Sequence, residues 1–149
     1  VTAAFTLHLI GYVAVLVALA AGGSPIHLGG VPLALAYIVI LFVFTLGIAA
    51  LLAALQTLIR DVEQAVNPAI MMLHYLTPVL YPLSMIPETY RGWLDWNPLA
   101  MIVTRIRGAL LTDLAIVPAD LGPPFIALAA ICAGFWVFAR LSPYFEDFL

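Results

Sequence analysis

The chain has 149 residues, 65% of them hydrophobic and 9% charged, whereas soluble domains run near about 45–50% apolar and about 25% charged. That balance excludes a soluble globular fold, because so few charges cannot cover so much apolar surface. The net charge of −3, with five basic residues and no basic run, excludes a surface built to hold the phosphates of nucleic acid.

With lipid as the solvent, every backbone N–H and C=O must be satisfied inside the protein, which leaves helices or a closed barrel. The apolar stretches are continuous and lack the alternation of barrel strands. The expected fold is therefore all-α and integral to the membrane, as a single transmembrane domain. A span needs about 20 mostly apolar residues, and the first runs over about 3–21. It opens at Val1 inside an apolar segment, without Met or a basic flank, so the chain is expected to be cut from a longer protein and to end naturally at Leu149. Gly22, Gly23, Ser24, Pro25, Gly29 and Gly30 mark a short loop. The second span, about 32–58, is long enough to tilt, and small residues at i, i+4 spacing (Ala49 with Ala53, Ala50 with Ala54) allow a close helix neighbour.

Arg60-Asp61-Val62-Glu63-Gln64 reads as the next loop. Asn67-Pro68 then restarts a helix, Asn as cap and Pro in the first turn, giving a third span over about 68–86. Pro78 and Pro82 each remove a backbone hydrogen bond, so this span should break near Tyr81. A short helix is expected at about 87–95, with Glu88–Arg91 and Arg91–Asp95 pairs. Tyr90, Trp93 and Trp96 on it are the amphipathic aromatics of a membrane interface. Asn97-Pro98 repeats the cap-and-proline start, and the helix over about 98–111, carrying Arg105 and Arg107, is too short and too charged to span. These two pieces read as interfacial or re-entrant. A polar stretch over 112–123 leads to the fourth span, about 124–141, and an acidic tail.

Chemistry-bearing constellations are few. His8, His27 and His74 lack metal-ligand spacing, no His-Glu-x-x-His pattern occurs, and no metal site is expected. Cys132 reads as a small packing residue. Asp61, Glu63, Glu88, Asp95, Asp113 and Asp120 are scattered over different loops, which argues against an intramembrane enzyme. With no lysine in the chain there is no phosphate-binding loop, and no nucleotide site is expected here. Arg105 and Arg107 are costly near lipid and are functional candidates by default. Two residues apart, they should divide, one reaching headgroups and one facing the bundle.

The ordered series is the informative feature: a span closing in Leu58-Ile59-Arg60-Asp61-Val62, a proline-broken span with Thr77-Pro78-Val79-Leu80-Tyr81-Pro82-Leu83-Ser84, an aromatic helix, Trp96-Asn97-Pro98-Leu99, Arg105 and Arg107, and a last span. This order resembles the permease subunit of type-2 ABC exporters of O-antigen, capsule or teichoic-acid polysaccharide, over the whole chain and lacking the first two spans. The resemblance implies a non-enzymatic permease that exports lipid-linked polysaccharide, in a bacterial plasma (inner) membrane with its C-terminus cytoplasmic. It implies a separate ATP-binding cassette subunit that binds ATP and Mg, with no cofactor in this chain. A second permease copy, the bilayer and the lipid-linked glycan are the other partners, and nucleic acid is not one. Arg60, Asp61 and Glu63 then form the loop nearest the ATPase. Tyr75, Pro78, Tyr81, Pro82, Trp93, Trp96, Asn97, Pro98, Arg105 and Arg107 lie on the translocation path or its gate. A drug or lipid exporter of the same superfamily, or a non-transporting membrane scaffold, is the alternative.

Overall fold

The computed structural model describes residues 2–23, 26–79, 81, 85–94, 96–112 and 117–143. All secondary structure among the described residues is helical: α1 (Thr2–Ala21), a 3-10 turn (Leu28–Gly30), α2 (Val31–Leu58), α3 (Val62–Leu76), α4 (Glu88–Leu94), α5 (Pro98–Leu111), a second 3-10 turn (Pro118–Leu121) and α6 (Gly122–Leu141). Among the described residues, three segments are long and apolar enough to cross a bilayer: Thr2–Ala21, Leu28–Leu58 and Gly122–Leu141.

The segment expected to span over 68–86 is built differently. α3 begins at Val62 and stops at Leu76, about 22 Å of helix against about 30 Å of hydrocarbon. Asn67 is not its cap. The chain reverses in three residues, with Ile59 extended and the Val62 and Ala65 N–H groups donating to the carbonyls of Ile59 and Asp61. Asp61 occupies the cap position, Glu63 sits in the first helical turn rather than the loop, and Pro68 lies inside the helix. A carboxylate in the first turn suits the helix dipole, and that start takes precedence over the proline signal six residues later. Leu80, Pro82, Leu83, Ser84, Asp95, Asp113 and the end of the acidic tail lie outside the described residues.

The core of the bundle is the pairing of α2 with α6, and two glycines make it possible. A Cβ on Gly47 would overlap the backbone at Ala130 and Ile131, and one on Gly134 would overlap the backbone of Gly47. Main chain therefore meets main chain, the close approach that small residues permit between membrane helices. Ala54 and Ala127 are likewise buried. Tyr37, near the start of α2, reaches Asp120 just before α6, so the two helices begin at the same end and run parallel. Arg60 and Arg140, each following or closing one of them, share the other end.

α5 packs along α2 near its start. The Gly30 backbone rests on the Ala109 carbonyl, with no room for a Cβ, and the His27 N–H donates to the Leu110 carbonyl at 2.9 Å. Ala34, Ala109 and Leu110 form a buried cluster, covered by Tyr12 and Leu16 of α1. α1 lies outermost, with no fully buried residue, and touches α2 through Phe5 on Phe42 at 4.6 Å between ring centroids. The hydroxyls of Thr6 and Thr45 return to carbonyls one turn back, which lets polar side chains sit in apolar helices.

Candidate functional site

The site is built where α3 ends. Thr77 is extended, as the residue before a proline prefers, and Pro78 has no N–H to give back to the helix. The carbonyls around this break lose their helical donors, and in lipid each must find another. Side chains supply them. Tyr81 Oη donates to the Tyr75 carbonyl at 2.6 Å. Asn97 Nδ2 donates to the Leu76 carbonyl at 3.2 Å and to Thr77 Oγ1 at 3.3 Å. Arg107 Nη2 donates to the Val79 carbonyl at 2.8 Å, and its Nη1 makes a longer 3.4 Å bond to the Tyr81 carbonyl.

Asn97 works in both directions. Its Oδ1 accepts from the N–H groups of Leu99 and Ala100 at 3.0 and 3.4 Å, which caps α5, while its amide NH₂ holds the end of α3. Pro98 fills the first position of α5, where a missing N–H costs nothing. Asn97→Ala should therefore remove a cap and a bridge together, lowering stability by about 1–2 kcal/mol. Asn97→Asp keeps the cap acceptor and loses the donors, so about half of that loss should return in thermal unfolding of the detergent-solubilised protein.

The break opens one wall of a groove of about 750 Å³, lined by Tyr75, Tyr81, Tyr90, Trp93, Trp96 and Asn97 among others. Trp93 and Trp96 remain 80% and 88% exposed, so their ring faces are available to a ligand. On the far rim, Arg91 Nη1 sits 3.6 Å from Glu88 Oε1, and its Nε donates to the Ile86 carbonyl at 3.0 Å. Both contacts are local, steadying the first turn of α4 and its entry. Pro78 is buried behind the break.

The expectation that one arginine of α5 reaches outward is corrected by the structure, since both turn onto protein. Arg107 holds the break, as described. Arg105 Nε lies 2.7 Å from Asp120 Oδ1. The same oxygen accepts from Tyr37 Oη at 2.5 Å, and Oδ2 accepts from the Val117 N–H at 2.7 Å. The Asp120 side chain is 9% exposed. Burial alone would raise its pKa, but the Tyr37 and Val117 hydrogen bonds and the Arg105 charge outweigh that and hold it below the usual carboxylate value. Asp120 stays ionised, and α2, α5 and the turn before α6 meet at one carboxylate. Asp120 and Tyr37 are absent from the sequence-derived site. A cation on an apolar helix signals that a counter-ion exists, but six scattered acids do not say which.

Arg60, Asp61 and Glu63 belong to neither assembly. They are exposed at the opposite end, where Gln56 Nε2 donates to the Arg60 carbonyl at 3.2 Å. Among the described residues no group of three His, Cys, Asp or Glu is arranged to hold a metal ion.

The comparisons with known proteins agree with this architecture. The family model for ABC-2 type transporters matches residues 1–111. The O-antigen export system permease protein RfbA of Klebsiella pneumoniae is 39% identical over 61 residues, covering 41% of this chain and 24% of that protein. The protein of the same name from Myxococcus xanthus is 33% identical over 96 residues, 63% of this chain and 35% of that protein. The chain thus matches about a quarter to a third of the length of these curated relatives. No solved structure matches it. With three helices fit to cross a bilayer and a family match over residues 1–111, this multi-pass membrane chain belongs to the ABC-2 type transporter family.

Proposed function

We propose that the chain is part of the membrane subunit of an ATP-driven exporter that moves a lipid-linked polysaccharide across the bacterial plasma membrane. The observation that carries this reading is the aromatic groove held open at the α3 break. The electron-rich face of an aromatic ring accepts the C–H face of a pyranose without reading its hydroxyl pattern, which suits a long repetitive polymer. The names of the relatives point the same way.

In this reading ATP is hydrolysed on a separate cassette subunit, with Mg bound there, and two permease copies surround the path. The end carrying Arg60 and Arg140 faces the cytoplasm, which puts the C-terminus inside and the groove at the outer end. The turn at Arg60 and Asp61, with Glu63 in the first turn of α3, receives a rigid-body push from the ATPase. α3 transmits that push directly, because its other end is the break at the groove. Arg107, Asn97, Pro78 and Tyr81 act as the frame of the gate, and Tyr75, Trp93 and Trp96 act as its lining.

The test uses the full-length permease in cells that lack their own copy. Trp93→Leu with Trp96→Leu keeps the surface apolar and removes the ring faces. Surface polysaccharide should fall about tenfold, equivalent to about 1.4 kcal/mol of lost binding, at unchanged membrane abundance. Full export with a simultaneous loss of drug tolerance would overturn the polysaccharide reading in favour of a drug exporter.

A further inference from the structure

Asp120 stands outside the groove, yet the contacts connect the two through α5. One arginine of that helix, Arg105, is tied to a carboxylate on the fixed α2–α6 pair. The other, Arg107, two residues on, carries the carbonyls of Val79 and of Tyr81, the latter on the groove wall. Both guanidiniums project from one turn of a short helix, on different faces. A rotation or slide of α5 that lengthens the first contact must also displace the second.

The carboxylate is committed on every side. Tyr37 on α2, Arg105 on α5 and the Val117 N–H of its own loop account for both oxygens. It is also well placed as a fixed point, since Tyr37 is 2% exposed and stands on the helix that pairs with α6 through backbone contact at Gly47 and Gly134. At the start of α5, Asn97 bonds to the end of α3, to the Leu94 carbonyl of α4 and to α5 itself. α5 is therefore seated on α2 at Ala109 and Leu110, tied in its middle to Asp120 by an ion pair, and coupled to the break through Arg107 and Asn97.

We infer that Asp120 is a positioning residue for the groove: through Arg105 it helps set the seat of α5, and through Arg107 that seat sets how far Val79 and Tyr81 stand from α4. This rests on the groove being the path, and the experiment separates the two claims. The full-length permease is reconstituted in lipid nanodiscs with its native Cys132 replaced by Ser. A reporter cysteine is placed at Met85, an exposed residue of the groove wall, or at Ile59, exposed at the opposite end, as control.

Asp120→Asn keeps the shape and one acceptor oxygen, turns the other into a donor, and removes the charge that holds Arg105. The labelling rate of Met85→Cys by a water-soluble maleimide should change several-fold, with Ile59→Cys unaffected. Asp120→Glu, which retains the charge, should return the rate towards the parent. Tyr37→Phe, which removes one of the three donors, should fall between them. If Asp120→Asn leaves the Met85→Cys rate at the parent value, or alters Met85→Cys and Ile59→Cys equally, the positioning role is overturned. A groove-specific change with undiminished polysaccharide export keeps the positioning role and overturns the groove as the path.

Discussion

Gly134→Leu is expected to abolish folding of the bundle. The position faces the Gly47 backbone with no space for even a Cβ. An overpacked core side chain typically costs about 1–3 kcal/mol because neighbouring side chains shift. Here the obstacle is main chain, which cannot change rotamer, so the α2 and α6 axes must separate and the buried alanines on either side lose contact with them. Gly134→Ala should already lower the thermal midpoint in detergent, and Gly47→Ala added to it should deepen the loss, because neither partner has a side chain to trim. Gly92 on α4 has open space around its missing Cβ, and Gly92→Leu should be tolerated in the same measurement. Equal tolerance at Gly134 and Gly92 would contradict the backbone-to-backbone crossing.

The second large effect is expected at Arg107, and it should fall on transport more than on folding. Arg107→Ala removes the side-chain donors of the Val79 and Tyr81 carbonyls at the break. Two hydrogen bonds from a charged donor, one of them long, amount to about 3 kcal/mol, and so to roughly a hundredfold shift between the held and released forms of the break. Arg107→Lys should rescue poorly, because a single ammonium cannot span two carbonyls as the planar guanidinium fork does. Export measured as surface polysaccharide, beside the thermal midpoint of the same variants, separates the two effects. Wild-type export in Arg107→Ala would show that the break needs no support from α5.

The helices themselves were legible because their signals are strong and local. Pro98–Leu111 follows from Asn97-Pro98 at one end and loss of apolar pattern at the other, and the side-chain cap on Leu99 and Ala100 is the physical content of that signal. The start of α3 is harder to read, for an equally physical reason. Asn67-Pro68 looks like a helix start, but a proline in the second turn removes only one hydrogen bond, and the earlier turn at Asp61 had already begun the helix. Tyr75, Tyr81, Trp93 and Trp96 could be picked out as aromatics near a break. That they line one groove with Asn97 depends on how α4 folds back across α3, a tertiary fact no local pattern encodes. The Tyr37–Asp120–Arg105 contact spans 83 residues from Tyr37 to Asp120 and has no local signature at all.

The α2–α6 pair also has a mechanical consequence. α2 has 28 residues and α6 has 20, about 42 Å and about 30 Å of helix, and the glycine crossing locks the two so that neither can adjust its slope alone. A bilayer of about 30 Å fits the shorter helix upright, while the longer one must lean or stand proud of the surface. Any change in bilayer thickness therefore loads the crossing directly and is felt mainly at the Leu28–Gly30 end of α2, where, with Gly47 level with Ala130 to Gly134, most of the excess length emerges. Lipid chain length should tune the resting geometry of this protein, with thicker membranes drawing α2 upright and its first turns inward.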